Sequence, residues 1–222
     1  MSTKTTSNKN SKSRSSGKNT LWWILGGVVG LGLIVWMAFA IAGEGGTDES
    51  IGFGEVTVEG EDLPFFDASA ADPAVGQIAP TVSGTDWNDA EYTIAPGDTA
   101  KIVVLLAHWC PHCQAEVPII NQWLADGNLP EDVEVYGVTV LTNRLRDGST
   151  WPPGEWLDEA GWTSPTIMDD ENGSAATAYG LTSTPTYVVL GPDNENLGRY
   201  AGEIGVEGLN ALAAIAADSV GQ

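Results

Sequence analysis

Both cysteines of the chain lie in one tetrapeptide, Cys110-Pro111-His112-Cys113, set between an apolar run and a helix-like segment. A Cys-X-X-Cys pair entering a helix puts its first sulfur beside unpaired backbone N–H groups and the positive helix end, where thiolate is favoured over thiol. Cys110 is therefore the candidate nucleophile. Cys113 falls about one turn further along the same helix face, close enough to form a disulfide with Cys110 and release a mixed-disulfide partner. It is the candidate resolving thiol.

Before residue 21 the sequence carries Lys4, Lys9, Lys12, Arg14 and Lys18 among Ser, Thr and Asn, with no acidic residue, which is the composition of a disordered basic arm. No charge occurs from Leu21 to Ala42, and as a helix that stretch spans about 33 Å, enough to cross a bilayer core. Trp22 and Trp23 stand at its basic end. The Lys/Arg excess on that side predicts a cytoplasmic N-terminus, with everything after Gly43 outside. The competing reading is a cleaved secretory signal, for which Ala38-Phe39-Ala40 offers a small-X-small site, but the apolar stretch is long for one. Gly26 and Gly30 match a Gly-X-X-X-Gly helix-pairing pattern that is common by chance in membrane helices.

All 30 acidic residues lie beyond position 43, against four basic ones there (Lys101, Arg144, Arg146 and Arg199), which leaves that part with a net charge of −26. Such a surface repels nucleic acid and anionic membrane; solubility explains it more simply than a specific basic partner does. Export makes the compartment disulfide-permissive, yet a single cysteine pair excludes a general disulfide scaffold.

Residues 43–75 are rich in Gly, Glu, Asp, Ser and Ala, with apolar islands at Ile51, Phe53, Leu63, Phe65 and Phe66, and read as an acidic tether. The remaining length fits one compact domain. Ile102 to Ala107 reads as a strand buried on both faces. A helix follows from Cys110 to about Ala125, with Val117, Ile120 and Leu124 at helical spacing and Pro118 predicted to kink it. A second strand is expected over Val133 to Leu141, a short helix near Pro153 to Ala160, and a brief extended piece over Thr166 to Met168. Then come a helix near Asn172 to Tyr179, a hairpin of Thr186 to Leu190 with Leu197 to Ala201, and a last helix over Val206 to Ala217.

This order resembles the thioredoxin fold, and the motifs resemble the membrane-anchored TlpA/ResA-like thiol-disulfide oxidoreductases. Trp109-Cys110-Pro111-His112-Cys113-Gln114-Ala115-Glu116-Val117-Pro118 is similar to their Trp-Cys-X-X-Cys-X-X-Glu-X-Pro signature. Gly76 with Ala79-Pro80 resembles their domain start, and Ser183-Thr184-Pro185-Thr186 their cis-proline loop. The resemblance covers about residues 75 to 217. It implies that Thr184 and Pro185 face the disulfide and pair with substrate backbone, with Trp109 packed beside the cysteines and Pro111 within the substrate-binding turn.

Glu116 lies three residues after Cys113, on the same helix face, where it can accept that thiol's proton; the plainer reading is a first-turn charge complementing the helix end. His112 can stabilise the Cys110 thiolate. Pro-His is also the dipeptide of DsbA-like oxidases, so the dipeptide points to oxidation while the surrounding signature points to reduction. Val104 stands where thioredoxin proper often has a buried acidic residue, which strengthens the case for Glu116. His108 and His112 with the two cysteines would supply four zinc or copper ligands, but His112 sits inside the turn and His108 at the strand end, a poor arrangement for a shared ion. Trp87, Trp123, Trp151, Trp156 and Trp162 read as packing residues, with Trp151 and Trp156 flanking an irregular loop that borders a groove.

The sequence thus predicts a basic arm (1–20), a transmembrane helix (21–42), a tether (43–75) and a thioredoxin-like α/β domain (76–222). The expected protein is a membrane-tethered extracytoplasmic thiol-disulfide oxidoreductase, a disulfide reductase in preference to a DsbA-like oxidase, needing no organic cofactor and no metal. Its expected partners are exported proteins with thiols or disulfides and a membrane redox protein that reduces or reoxidises it. The rival reading is a non-catalytic surface module with a structural disulfide, although permanent disulfides usually join distant segments.

Overall fold

The apolar run before the cysteines forms β4 (Ala100–Leu106), all seven residues of which are buried in the computed structural model of the chain. The structure describes residues 52–146 and 150–221; the expected basic arm and membrane crossing lie outside them. Among the described residues no helix is long and apolar enough to cross a membrane.

β4 is the centre of a five-stranded sheet in the order β6-β5-β4-β7-β8. β5 (Val133–Thr139) and β6 (Thr166–Met168) continue parallel on one side. β7 (Thr186–Leu190) and β8 (Asn196–Ala201) run antiparallel on the other. Alternation along β4 divides the core. Ile102, Val104 and Leu106 pack with Val117, Ile120 and Trp123 of α1 (Pro111–Ala125) and with Leu209, Leu212 and Ala216 of α4 (Gly205–Asp218). Val103 and Leu105 face the opposite side, with Val138, Val188, Ile167 and the alanines of α3 (Ser174–Ala178). A short α2 (Pro153–Glu159) precedes β6. The thioredoxin-like α/β class implied by the motif order is the class observed, and α1 runs through Pro118, which sits on its exposed side.

The tether expectation requires correction. Residues 56–75 belong to the domain: β1 (Val56–Glu59) pairs antiparallel with β2 (Thr81–Thr85), which pairs with β3 (Glu91–Ile94) in a separate three-stranded sheet. Leu63 and Phe66 are buried, and their N–H groups donate to Ala178 O and Gly180 O at 2.9 and 2.8 Å. Gly180 has φ +63, and a Cβ there would collide with the carbonyls of Leu63 and Pro64. The fully buried Arg199 side chain closes the attachment, donating to both Asp72 carboxylate oxygens and to Pro64 O and Tyr179 O. An acidic, Gly-rich composition hid a period-two pattern, Val56 and Val58 half-buried between exposed Thr57 and Glu59.

Candidate active site

Cys110 is the N-cap of α1, with extended φ/ψ of −82 and 118, and its carbonyl accepts the first helical bond from Gln114 N at 3.0 Å. Pro111 fills the first helical position, where its missing N–H costs nothing, and is exposed. Both thiols are free. Cys113 is fully buried and Cys110 keeps only 5% exposure, less than a helix-start nucleophile is expected to show. What covers it is the Thr184–Pro185 loop: the Cys110 thiol donates to Thr184 O at 3.3 Å, and the Thr184–Pro185 peptide bond is cis.

The two sulfurs differ in acidity. Burial pushes the Cys110 thiol up, but hydrogen bonds from the Thr184 side chain and from the backbone N–H groups of Cys113 and His112 outweigh it, and the thiol ends below its ordinary value. Cys113 moves the other way. Burial pushes it up to about 12, reinforced by the neighbouring Cys110 charge and opposed by the Ala107 N–H, which donates to its sulfur at 3.5 Å. One thiol is thus prepared for attack and the other for holding its proton.

Glu116 is fully buried. Its Oε1 accepts from Tyr187 Oη at 2.9 Å and from Ile204 N and Gly205 N at 3.1 and 2.9 Å, so it serves the N-terminal end of α4 and lies outside the first turn of its own helix. Its Oε2 is buried without any hydrogen-bond partner. A buried carboxylate oxygen left open on the helix that carries Cys113 is a feature that calls for a chemical role. His112 is exposed, and its Nδ1 meets Glu203 Oε1 at 2.5 Å; that hydrogen bond and the carboxylate charge hold the imidazole above its ordinary pKa.

Trp109 is half-buried beside Cys110, with its Nε1 donating to Leu141 O at 2.8 Å and the Arg146 guanidinium 4.0 Å above its ring. His108 is buried, with its Nε2 accepting from Asn143 N at 3.4 Å and its ring edge-on to Trp151 at 5.4 Å. It is committed to Asn143 and Trp151. Among the described residues no group of three or more His, Cys, Asp or Glu side chains is placed to hold a metal ion. A cleft of about 750 Å³ follows the Pro152 loop, lined by Trp87, Pro152, Asp158 and Met168, and neither cysteine lines it.

The structure therefore gathers Cys110, Cys113, His112, Glu116, Thr184 and Pro185 around one helix end and adds members without a motif. Tyr187 stands two residues past Pro185 on the strand face toward α1, a period-two relation readable in the sequence. Glu203 and the amides of Ile204 and Gly205 come from the turn after β8, where no local signal marks them.

The AhpC/TSA family matches residues 75–195, more than half of the chain, and the chain belongs to that family. A thiol:disulfide interchange protein, a DsbE homolog of Paracoccus denitrificans, is 31% identical over 132 residues, a match covering 60% of this chain and 65% of that protein's length. Among solved structures, a thioredoxin-family thiol:disulfide interchange protein from Chlorobium tepidum TLS superposes with a TM-score of 0.52 at 21% identity, covering 66% of this chain and 99% of that one. A DsbF homologue from Corynebacterium diphtheriae superposes with a TM-score of 0.50 at 20% identity, covering 70% and 93%.

Proposed function

We propose that the protein is a membrane-tethered, extracytoplasmic thiol-disulfide oxidoreductase acting as a disulfide reductase. The observation that carries the reading is the opposed acidity of two thiols on one helix end, Cys110 lowered and Cys113 raised to about 12, under the Thr184–Pro185 loop. In the reductive direction the Cys110 thiolate attacks one sulfur of a substrate disulfide, that S–S bond breaks, and the departing substrate thiolate takes up a proton. Cys113 then gives its proton to the open oxygen of Glu116 and attacks the Cys110 sulfur, the Cys110–substrate S–S bond breaks, the departing substrate thiolate takes up a proton from solvent, and Glu116 releases its own. The substrate leaves with two thiols and the protein with a Cys110–Cys113 disulfide. The balance is two electrons, which a separate membrane redox protein must return, since the chain has no second cysteine pair.

One observation favours the oxidase alternative. The Glu203 carboxylate keeps His112 protonated to higher pH, and an imidazolium beside Cys110 stabilises the reduced form, which makes a disulfide more oxidising. The test is a redox-buffer titration of the thiols together with a Cys113→Ser trap. A potential near about −270 mV or below supports the reductase, one near about −120 mV the oxidase. If the pair stays disulfide-bonded across the series and Cys113→Ser accumulates no mixed disulfides in cells, the protein is a binding module instead. Protease applied outside wall-stripped cells should remove the domain and spare the arm; the reverse pattern overturns the topology.

A further inference from the structure

Beyond residue 43 the chain has four basic side chains, and two of them are spent inside the fold. Lys101 is buried with its Nζ on Pro192 O and Asn194 Oδ1, and Arg199 is buried on Asp72. The two exposed cations, Arg144 and Arg146, occupy a single 3₁₀ turn (Arg144–Arg146) in the loop after β5. Both guanidiniums lie over indoles next to the cysteine motif. Arg146 sits 4.0 Å above Trp109, the residue before Cys110, and Arg144 lies 5.8 Å from the ring of Trp151, which packs on His108. Between them Leu145 is 93% exposed, and Leu141, whose carbonyl holds Trp109, is 48% exposed. Asn143 Oδ1 caps the turn by accepting from Leu145 N at 2.9 Å. On a domain this acidic, the exposed positive charge and the most exposed large apolar side chain stand together at the rim of the redox pair.

We propose that the turn 144–146 is a docking knob for the cysteine-bearing segment of the substrate, selecting segments with an acidic side chain and an apolar residue flanking the reacting cysteine. The proposal rests on the oxidoreductase reading and names its substrate class. Charge complementarity identifies the occupant. At physiological ionic strength a Debye length of about 8 Å screens the distant carboxylates, so a side chain flanking the attacked sulfur meets local charges, and of these Glu203 is paired with His112 while Arg144 and Arg146 lie beside Trp151 and Trp109. The guanidiniums lie against indole rings, Arg146 at 4.0 Å and Arg144 at 5.8 Å from the ring centroids, which places two positive charges beside the residue preceding Cys110. The apolar contact is supplied by Leu145, which is left exposed among the described residues.

The experiment compares two disulfide peptides of equal length, the cysteine flanked by Asp-Leu in one and by Lys-Leu in the other. Second-order rate constants are measured with the reduced protein at 0.15 M salt, each divided by the same protein's rate with hydroxyethyl disulfide, so that any effect of a substitution on basal exchange cancels. Wild type should favour the acidic peptide by roughly fivefold to tenfold. Arg144→Gln/Arg146→Gln should lose that ratio, and Arg144→Lys/Arg146→Lys should keep most of it. A preference for the basic peptide, or a ratio unchanged in the Gln variant, overturns the proposal while leaving the redox reading intact. No reaction with hydroxyethyl disulfide would overturn the redox reading, and the knob with it.

Discussion

Glu116→Gln separates proton handling from architecture, because the two carboxylate oxygens have divided tasks. Oε1 accepts three hydrogen bonds, and a glutamine carbonyl accepts the same three from Tyr187, Ile204 and Gly205. The substitution therefore changes chiefly the open oxygen, which becomes an amide that accepts no proton. Cys113 stands near 12, about five units above neutral pH, so roughly one thiol in 10⁵ is ionised unaided, a cost of about 7 kcal/mol. That figure is an upper bound for the resolving step, since the Cys110 charge contributing to the rise disappears once Cys110 is in a mixed disulfide. A positioned general base contributes about 10²–10⁴-fold, so the variant should resolve its mixed disulfide roughly 10²–10³-fold more slowly. An aromatic disulfide in single turnover provides the assay, releasing one coloured thiolate when Cys110 attacks and a second when Cys113 resolves. The first phase should keep its rate and the second should slow. Two unchanged phases refute the proton role, and a first phase slowed as much as the second would show that Glu116 acts through the shape of the site.

In Glu203→Gln the His112 imidazole should titrate at lower pH than in wild type, because the hydrogen bond and the charge that hold it protonated are both weakened; NMR of the ring protons reads this, and an unmoved midpoint would refute the pairing. Alkylation of the reduced protein should rise with pH and level off at Cys110 below the pH of an ordinary thiol, since a lowered pKa fills the thiolate earlier, while Cys113 stays protected past neutral pH; faster modification of Cys113 reverses the role assignment. Asp72→Ala leaves the fully buried Arg199 guanidinium without its carboxylate and should cost about 3–5 kcal/mol in denaturant unfolding. A loss below about 1 kcal/mol would mean that residues 63–72 are attached too loosely to be counted in the domain.

The parts of the fold legible in the sequence are those where burial on both faces or a special backbone leaves few alternatives. β4 shows in the unbroken aliphatic residues from Ile102 to Leu106 because both layers of the core claim them, and α1 begins at the proline after Cys110 because that position is free of a donor requirement. The three-stranded sheet was hidden for the opposite reason. β1 is four residues long at a sheet edge, its inward positions are two valines, and acidic and glycine-rich stretches on either side dominate the local composition. The segment that follows it is tied to the domain by Arg199, more than a hundred residues from its partner Asp72, and pairings at that range have no local signature.

The site divides along the same line, and its hidden half explains the visible half. The cysteine motif, Glu116 and the Thr184–Pro185 loop are fixed by short spacings, but what tunes them is one turn, 202–205. Gly202 N donates to Pro185 O at 2.8 Å, Glu203 holds His112, and Ile204 N and Gly205 N hold Glu116. That turn has no motif because its work is done by backbone amides, which any sequence supplies, and by one exposed carboxylate among 30 acidic residues. Its compositional demands are two glycines with positive φ, Gly202 at +91 and Gly205 at +61, conformations that a β-branched residue resists. The loop that lies over Cys110, the imidazole of His112 and the Glu116 carboxylate on the helix that carries Cys113 thus share a single support, so a change in this turn reaches all three together, whereas a change at Glu116 or His112 reaches one alone.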